Sequence, residues 1–349
     1  MLEFPAWRWM VGGVLERPEA FRDALVKWFG RHGKDYPWRR TREPYAILVS
    51  EVMLQQTQIA TVLGKGYYQR FLTEFSDVEA LAAADDERLL KAWEGLGYYR
   101  RARMLRDTAR AVLEHHAGRF PEDWKSLMKL PGVGRYTAGA VRAFAFDLPG
   151  AVVDGNVARV LARVMDFREP VDDTAGRRQL DEWAETMEDG ARPRIYNSAL
   201  MELGQTRCRP GVPDCGGCPV ARFCRAVDPA GLPLKRRRAA VTEVTEHAVW
   251  RQDRRGRVLL VCEEGQRRTG MWRLPVRPES EVARWPVLME QSYPITRYRV
   301  RLVVHQAPVG TRRSGPEVWV AVAELGGLPM AAPFRKVVVE LLEKTQNQV

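Results

Sequence analysis

Two carboxylates and one cluster of thiols stand out as groups able to do chemistry. Glu51 is the only charged residue in the run Ile47-Leu48-Val49-Ser50-Glu51-Val52-Met53-Leu54. A carboxyl with apolar neighbours loses the hydration of its charged form, so its pKa rises toward the range of a general acid. Asp154 precedes Gly155 and Asn156 at the start of a helical run. Backbone N–H groups there favour the ionised carboxylate. The two acids lie far apart in the chain, so only the fold can bring them together.

The thiols follow the pattern Cys208-x6-Cys215-x2-Cys218-x5-Cys224 with no histidine nearby. No secretory signal is expected from Met1-Leu2-Glu3-Phe4-Pro5, and in a reducing compartment clustered thiolates bind metal more often than they pair. Zinc and an iron–sulfur cluster both accept four thiolates. The single C-x2-C pair and the short uneven spacing suit a compact loop around a cubane cluster better than a zinc ribbon. Cys262 is isolated in the apolar run Val258–Cys262 and reads as a core residue. Leu130-Pro131-Gly132-Val133-Gly134 falls between two helical segments. Two glycines so close permit a tight hairpin whose N–H groups face outward at a helix start, where an anion such as a phosphate is favoured.

These groups need a scaffold. At 349 residues the chain is expected to form two domains of roughly 150–200 residues each. Its composition excludes disorder along the whole length, a fibre or a small disulfide scaffold. A spanning helix is not expected, since no run of about 18 apolar residues is free of polar breaks. The net charge of +11 favours a polyanionic partner.

Residues 20–205 read as helical, with candidates at 99–116, 137–146, 157–165, 175–188 and 193–203 and proline–glycine punctuation between them. Asp85-Asp86-Glu87 supplies the acidic first turn of another helix. Residues 226–238 have linker character and end in Lys235–Arg238, a run that reads first as a solvated face. Strand-like runs follow at 247–251, 257–262, 299–305 and 317–323, then a helix at about 334–344. The histidines, at 32, 115, 116, 247 and 305, form no ligand spacing.

Taken in order, Pro37-Trp38-Arg39, Ser50–Gln58, Trp93–Tyr99, Leu130–Gly134, Val153–Val157, Asn197–Gly204 and the cysteine loop resemble the helix-hairpin-helix DNA glycosylases that carry an iron–sulfur cluster, most closely the adenine-removing MutY family. The resemblance implies a mostly α glycosylase domain over 1–225 with a [4Fe–4S] loop at 208–224. A basic linker over 226–240 and an α+β MutT/Nudix-like recognition domain over 241–349 follow. That last domain shows Gly270–Pro275 but no paired-glutamate cluster, so nucleotide hydrolysis is not expected of it.

The implied activity is removal of adenine mispaired with 8-oxoguanine or guanine, leaving an abasic site. Glu51 protonates the adenine at N7 and later activates water. Asp154 stabilises the oxocarbenium ion or forms a transient adduct at C1′. Asn156 orients water or Asp154, and Tyr136 lies near Asp154. Tyr136 also stands where bifunctional relatives carry a lysine, and a phenol forms no Schiff base, so no strand cutting is expected at this position. Gln56, Thr57 and Tyr98 enter the base stack. Arg39 and Glu202 line the adenine pocket, and Gly132 and Gly134 hold a backbone phosphate. The four cysteines carry the cluster, which shapes a basic loop with Arg207, Arg209, Arg222 and Arg225.

In that family a Phe-Ser-His turn reads 8-oxoguanine. The nearest stretch here is Ile295-Thr296-Arg297-Tyr298, which keeps a hydroxyl at Thr296 and puts Arg297 in the place of the histidine. The expected partner is double-stranded DNA with A·8-oxoguanine or A·G mispairs. The protein is expected to be a monomer in the cytoplasm, nucleoid-associated in a bacterium. The rivals are a thymine or uracil mismatch glycosylase of the same superfamily and a catalytically silent mismatch-binding protein.

Overall fold

The computed structural model describes residues 10–11, 14–15, 17–237, 240–265 and 268–346. Arg238 of the basic run and most of the first sixteen positions lie outside the described residues. The elements in chain order are β1 (Met10–Val11), β2 (Val14–Leu15), α1 (Pro18–His32), α2 (Pro44–Leu54), α3 (Ile59–Gly64), α4 (Tyr67–Glu74), α5 (Val78–Ala82), α6 (Asp86–Ala92), α7 (Arg100–His116), α8 (Trp124–Lys129), α9 (Arg135–Val141), α10 (Gly155–Val164), α11 (Thr174–Met187) and α12 (Pro193–Thr206). There follow β3 (Thr242–Trp250), β4 (Val258–Cys262), β5 (Trp272–Arg273), β6 (Val276–Arg277), α13 (Glu279–Val282), β7 (Val287–Ile295), β8 (Tyr298–Gln306), β9 (Glu317–Val320) and α14 (Ala332–Gln346). The chain divides into two compact units, one of Met1–Gln56 and Asp107–Arg237, the other of Thr57–Arg106 and Arg238–Val349.

The first unit is helical. Its main core joins Phe21 and Leu25 of α1, Val160 and Leu161 of α10, Leu180 of α11, and Leu200 and Leu203 of α12. Burying this many large apolar side chains is the main stabilising term, about 1.5–3 kcal/mol for each. α2 is buried from Tyr45 to Met53, as a helix that is apolar all round must be. The candidate helix 137–146 is interrupted: α9 ends at Val141 and a π-helical turn occupies Arg142–Phe146. It closes on Asp147, which has a left-handed φ of 56°.

The second unit contains α3 to α6 and the two C-terminal sheets. One sheet has the order β6-β3-β8-β7, with β3 and β8 parallel and the remaining pairs antiparallel. The other has the order β5-β4-β9 and is antiparallel. The sequence expectation has no strand over β7, which carries Pro294, a residue that cannot donate to a ladder. β7 is an edge strand paired only with β8, and there a missing N–H is tolerated. The expected strand 317–323 stops at Val320, and a 3-10 turn follows. His247 and His305, unrelated by spacing, meet across β3 and β8 at 3.0 Å. Among the described residues no helix is long and apolar enough to cross a membrane.

Candidate active site

Glu51 comes from the last turns of α2 and is 4% exposed. Burial, helped by the nearby Asp154 charge, pushes its carboxyl up to about 7. The Tyr136 hydroxyl and the more distant Arg39 pull the other way without reversing the shift. Tyr136, in the first turn of α9, donates to Oε2 of Glu51 at 2.5 Å. Resemblance implies that this hydroxyl lies near Asp154; it donates to Glu51, and the Asp154 charge is close enough to add to the upward shift of the phenol.

Asp154 caps α10. Its Oδ1 accepts from the N–H groups of Asn156 at 2.9 Å and Val157 at 2.7 Å, and its Oδ2 accepts from Nδ2 of Asn156 at 2.7 Å. Capping alone predicts a depressed pKa. The carboxyl is instead raised, because desolvation outweighs these donors. The two acids are still set apart, since three hydrogen bonds favour the charged form of Asp154 and one favours that of Glu51. Glu51 is therefore the carboxyl whose surroundings hold it neutral up to about 7.

Asn156 is held from behind. Arg159 donates to its Oδ1 at 3.0 Å, to the Gly204 carbonyl at 2.7 Å and to the Cys208 carbonyl at 2.7 Å. Gly204 lets α12 come this close: a Cβ there would lie 2.7 Å from the Cβ of Asn156. Two residues before it, Glu202 is fully buried, with Oε2 taking Nη1 of Arg39 at 2.8 Å and Oε1 without a hydrogen-bond partner among the described residues. The Arg39 guanidinium also lies over the Phe29 and Tyr36 rings. The first unit thus brings Glu51, Tyr136, Asp154, Asn156, Arg39 and Glu202 together.

The hairpin between α8 and α9 forms as expected, but only Gly132 uses a positive φ, 75°. Gly134 is extended and caps α9. Gln56, exposed, has a left-handed φ of 62°. Thr57 and Tyr98 belong to the second unit. So do Thr296 and Arg297, exposed at the two-residue turn of the β7–β8 hairpin, where Arg297 stacks over the Tyr298 ring.

Cys208, Cys215, Cys218 and Cys224 are free thiols lining one cavity of about 180 Å³. Nη1 of Arg163 donates to Sγ of Cys208 at 3.3 Å. Among the described residues no three His, Cys, Asp or Glu side chains stand close enough to hold a single metal ion. Four sulfurs around a cavity of that size fit a group larger than one ion. Of the surrounding arginines, Arg209 and Arg222 are exposed, whereas Arg207 is occupied by Asp214.

The sequence reading missed Arg159 and Arg163. Their signal was two arginines four positions apart on a helix whose neighbours are apolar.

The fold and hairpin define a class, the helix-hairpin-helix base excision repair proteins. The model of the HhH-GPD superfamily of base excision DNA repair proteins matches residues 49–185. The chain is 45% identical over 216 residues to human adenine DNA glycosylase, a match covering 59% of this chain and 39% of that protein. It is 37% identical over 215 residues to the Mycolicibacterium smegmatis adenine DNA glycosylase, covering 61% of this chain and 72% of that protein. Among solved structures, a thermostable thymine-DNA glycosylase aligns with a TM-score of 0.54 and 30% identity over 60% of this chain and 95% of its own. An endonuclease III–DNA covalent intermediate aligns with a TM-score of 0.52 and 26% identity over 62% and 97%.

The chain belongs to the MutY-type adenine DNA glycosylase family. It spans well under half the length of the mammalian relatives it matches.

Proposed function

We propose that the chain is a monofunctional DNA glycosylase that removes adenine opposite 8-oxoguanine or guanine in duplex DNA. The observation that carries this reading is the pair of carboxyls divided by their surroundings, with Glu51 raised to about 7 and Asp154 ringed by three donors. The target nucleotide must leave the stack to reach such groups. Glu51 gives its proton to N7 of adenine, and the base leaves with the electrons of the C1′–N9 bond. The Asp154 carboxylate faces the cationic sugar. Water then adds at C1′ and gives its proton to Glu51, as two carboxylates divide glycoside hydrolysis. The unpartnered Oε1 of Glu202 suits an amino group of the extruded base. Tyr136 offers no amine for strand cutting.

The four-cysteine cavity, with Arg163 against Cys208, supports a [4Fe–4S] cluster held by Cys208, Cys215, Cys218 and Cys224. When bound, it supplies a rigid core for its loop. Arg209 and Arg222 then face DNA phosphates. We take residues 1–225 as the glycosylase domain, 226–240 as the linker and 241–349 as a Nudix-like domain whose Thr296-Arg297 turn reads the opposing purine. Such an enzyme works where the chromosome lies, which in a bacterium is the cytoplasm.

Single-turnover assays on A·8-oxoguanine, A·G, T·G and U·G duplexes, with Glu51→Gln as control, test the reading. Adenine release that the variant loses supports it. Release from T·G or U·G alone, or none from any duplex, refutes it.

A further inference from the structure

Residues 95–99, between α6 and α7, hold three left-handed positions in one turn. Gly95 has a φ of 93° and Gly97 one of 67°. Tyr98 follows with a φ of 48°, a left-handed conformation that costs any residue with a Cβ. Its ring is 50% exposed. A large aromatic left in solvent on strained backbone persists only where its surroundings over-determine it, and such strain clusters at functional sites.

Arg101 supplies that determination. Its Nη2 donates to the Leu96 carbonyl at 3.0 Å, the Gly97 carbonyl at 3.2 Å and Oγ1 of Thr57 at 3.4 Å. Its guanidinium lies 5.4 Å from the Trp93 ring centre and 5.6 Å from that of Tyr98. One side chain thus ties Thr57, two residues ahead of α3, to the turn before α7 and stacks against the exposed ring. A planar guanidinium can do this; an ammonium has neither the fork nor the stacking face.

We propose that Arg101 is a positioning residue that holds Tyr98 and Thr57 as one preformed wedge for insertion into the base stack while the target nucleotide is extruded. This rests on the base-flipping reading above. Opening a stack is costly, and any ordering of the wedge at that moment adds to the barrier. A wedge ordered beforehand by Arg101 avoids that addition. Arg101 therefore matters most where the adenine must be pulled from an intact stack.

The test uses the full chain and its Arg101→Met and Arg101→Lys variants. Flipping is read from the fluorescence of 2-aminopurine placed opposite 8-oxoguanine at saturating protein, and excision from single-turnover kinetics on adenine. In Arg101→Met, flipping amplitude and excision from the A·8-oxoguanine duplex are expected to fall about tenfold. On a duplex with adenine opposite an abasic site, where the base is already loosely stacked, the loss is expected to shrink to less than about threefold. Arg101→Lys, which keeps the charge and stem, is expected to fall between and covers a Met variant that does not fold. Equal losses on the two duplexes, or wild-type flipping by either folded variant, would overturn the proposal. Flipping is read without cleavage. A wild-type chain that flips adenine but does not release it refutes the enzymatic reading alone, and the amplitude ratio still judges Arg101. A wild-type chain that flips nothing overturns both.

Discussion

The phenolic hydroxyl of Tyr136 donates to Oε2 of Glu51 across 2.5 Å. That bond favours the charged form of Glu51, against the burial that favours the neutral form. Tyr136→Phe removes the donor and keeps the ring. The Glu51 carboxyl then rises further, and the position of its proton is less defined. A hydrogen bond to a charged group contributes about 1.5–3 kcal/mol, so excision is expected to slow roughly 10- to 100-fold at neutral pH. Its alkaline limb is expected to move to higher pH. An unshifted limb in single-turnover profiles would remove Tyr136 from this role.

The pH profile follows from the roles proposed for the two carboxyls. Glu51 acts in its protonated form, so excision is expected to decline as pH rises through about 7. Asp154 acts in its charged form and is raised above its ordinary 3.8, so the acid limb lies above that value. Stability has the same origin. The folded state holds the Glu51 proton up to about 7 and the unfolded state releases it near 4.5, so stability is lost as pH rises between these values. Glu51→Gln lacks this loss. At pH 8 it is expected to be more stable than the wild type, by up to about 3 kcal/mol, and near pH 4 to match it. Paired denaturant titrations at the two pH values check the difference.

Much of this site is legible in the residues. Glu51 alone in an apolar run announces its own burial, and Asp154 before Gly155 announces a cap. What stayed hidden depends on long-range packing. The upward shift of Asp154 comes from desolvation by segments remote in sequence, which no capping rule contains. The Tyr136–Glu51 bond joins α9 to α2, and no spacing in the chain relates two residues so far apart in sequence. The strand β7 went unread, and its Pro294 is tolerated because β7 lies at an edge. Nor does periodicity reveal that Thr57–Arg106 groups with the C-terminal sheets, because that depends on which helices find partners across the chain.

Arg159 links the cysteine loop to Asp154 through the Cys208 carbonyl and Oδ1 of Asn156. It is 7% exposed, so Arg159→Gln leaves several buried acceptors unmet. A loss of roughly 2–3 kcal/mol in stability is expected, read by denaturant unfolding. The Arg159 charge and the Asn156 amide both hold Asp154 down. With the first removed and the second loosened, the acid limb of excision is expected to move to higher pH. A variant destabilised with that limb unmoved would show that Arg159 acts on the loop alone.

Gly204 sets the distance between α12 and α10. A Cβ there would meet the Cβ of Asn156 at 2.7 Å and its backbone oxygen at 3.0 Å. The second atom belongs to the backbone, so no rotamer change relieves the contact, and the helices must part by some tenths of an ångström. Overpacking of this kind costs about 1–3 kcal/mol. The displacement falls on Asn156, whose Nδ2 holds Asp154 at 2.7 Å, and on the Gly204 carbonyl that anchors Arg159. Gly204→Ala is therefore expected to lower excision more than duplex binding, since the hairpin at Gly132 and the exposed arginines of the cysteine loop are untouched. Equal losses in single-turnover rate and in affinity for an uncleaved duplex would mean that the change spreads through the unit rather than acting at Asp154.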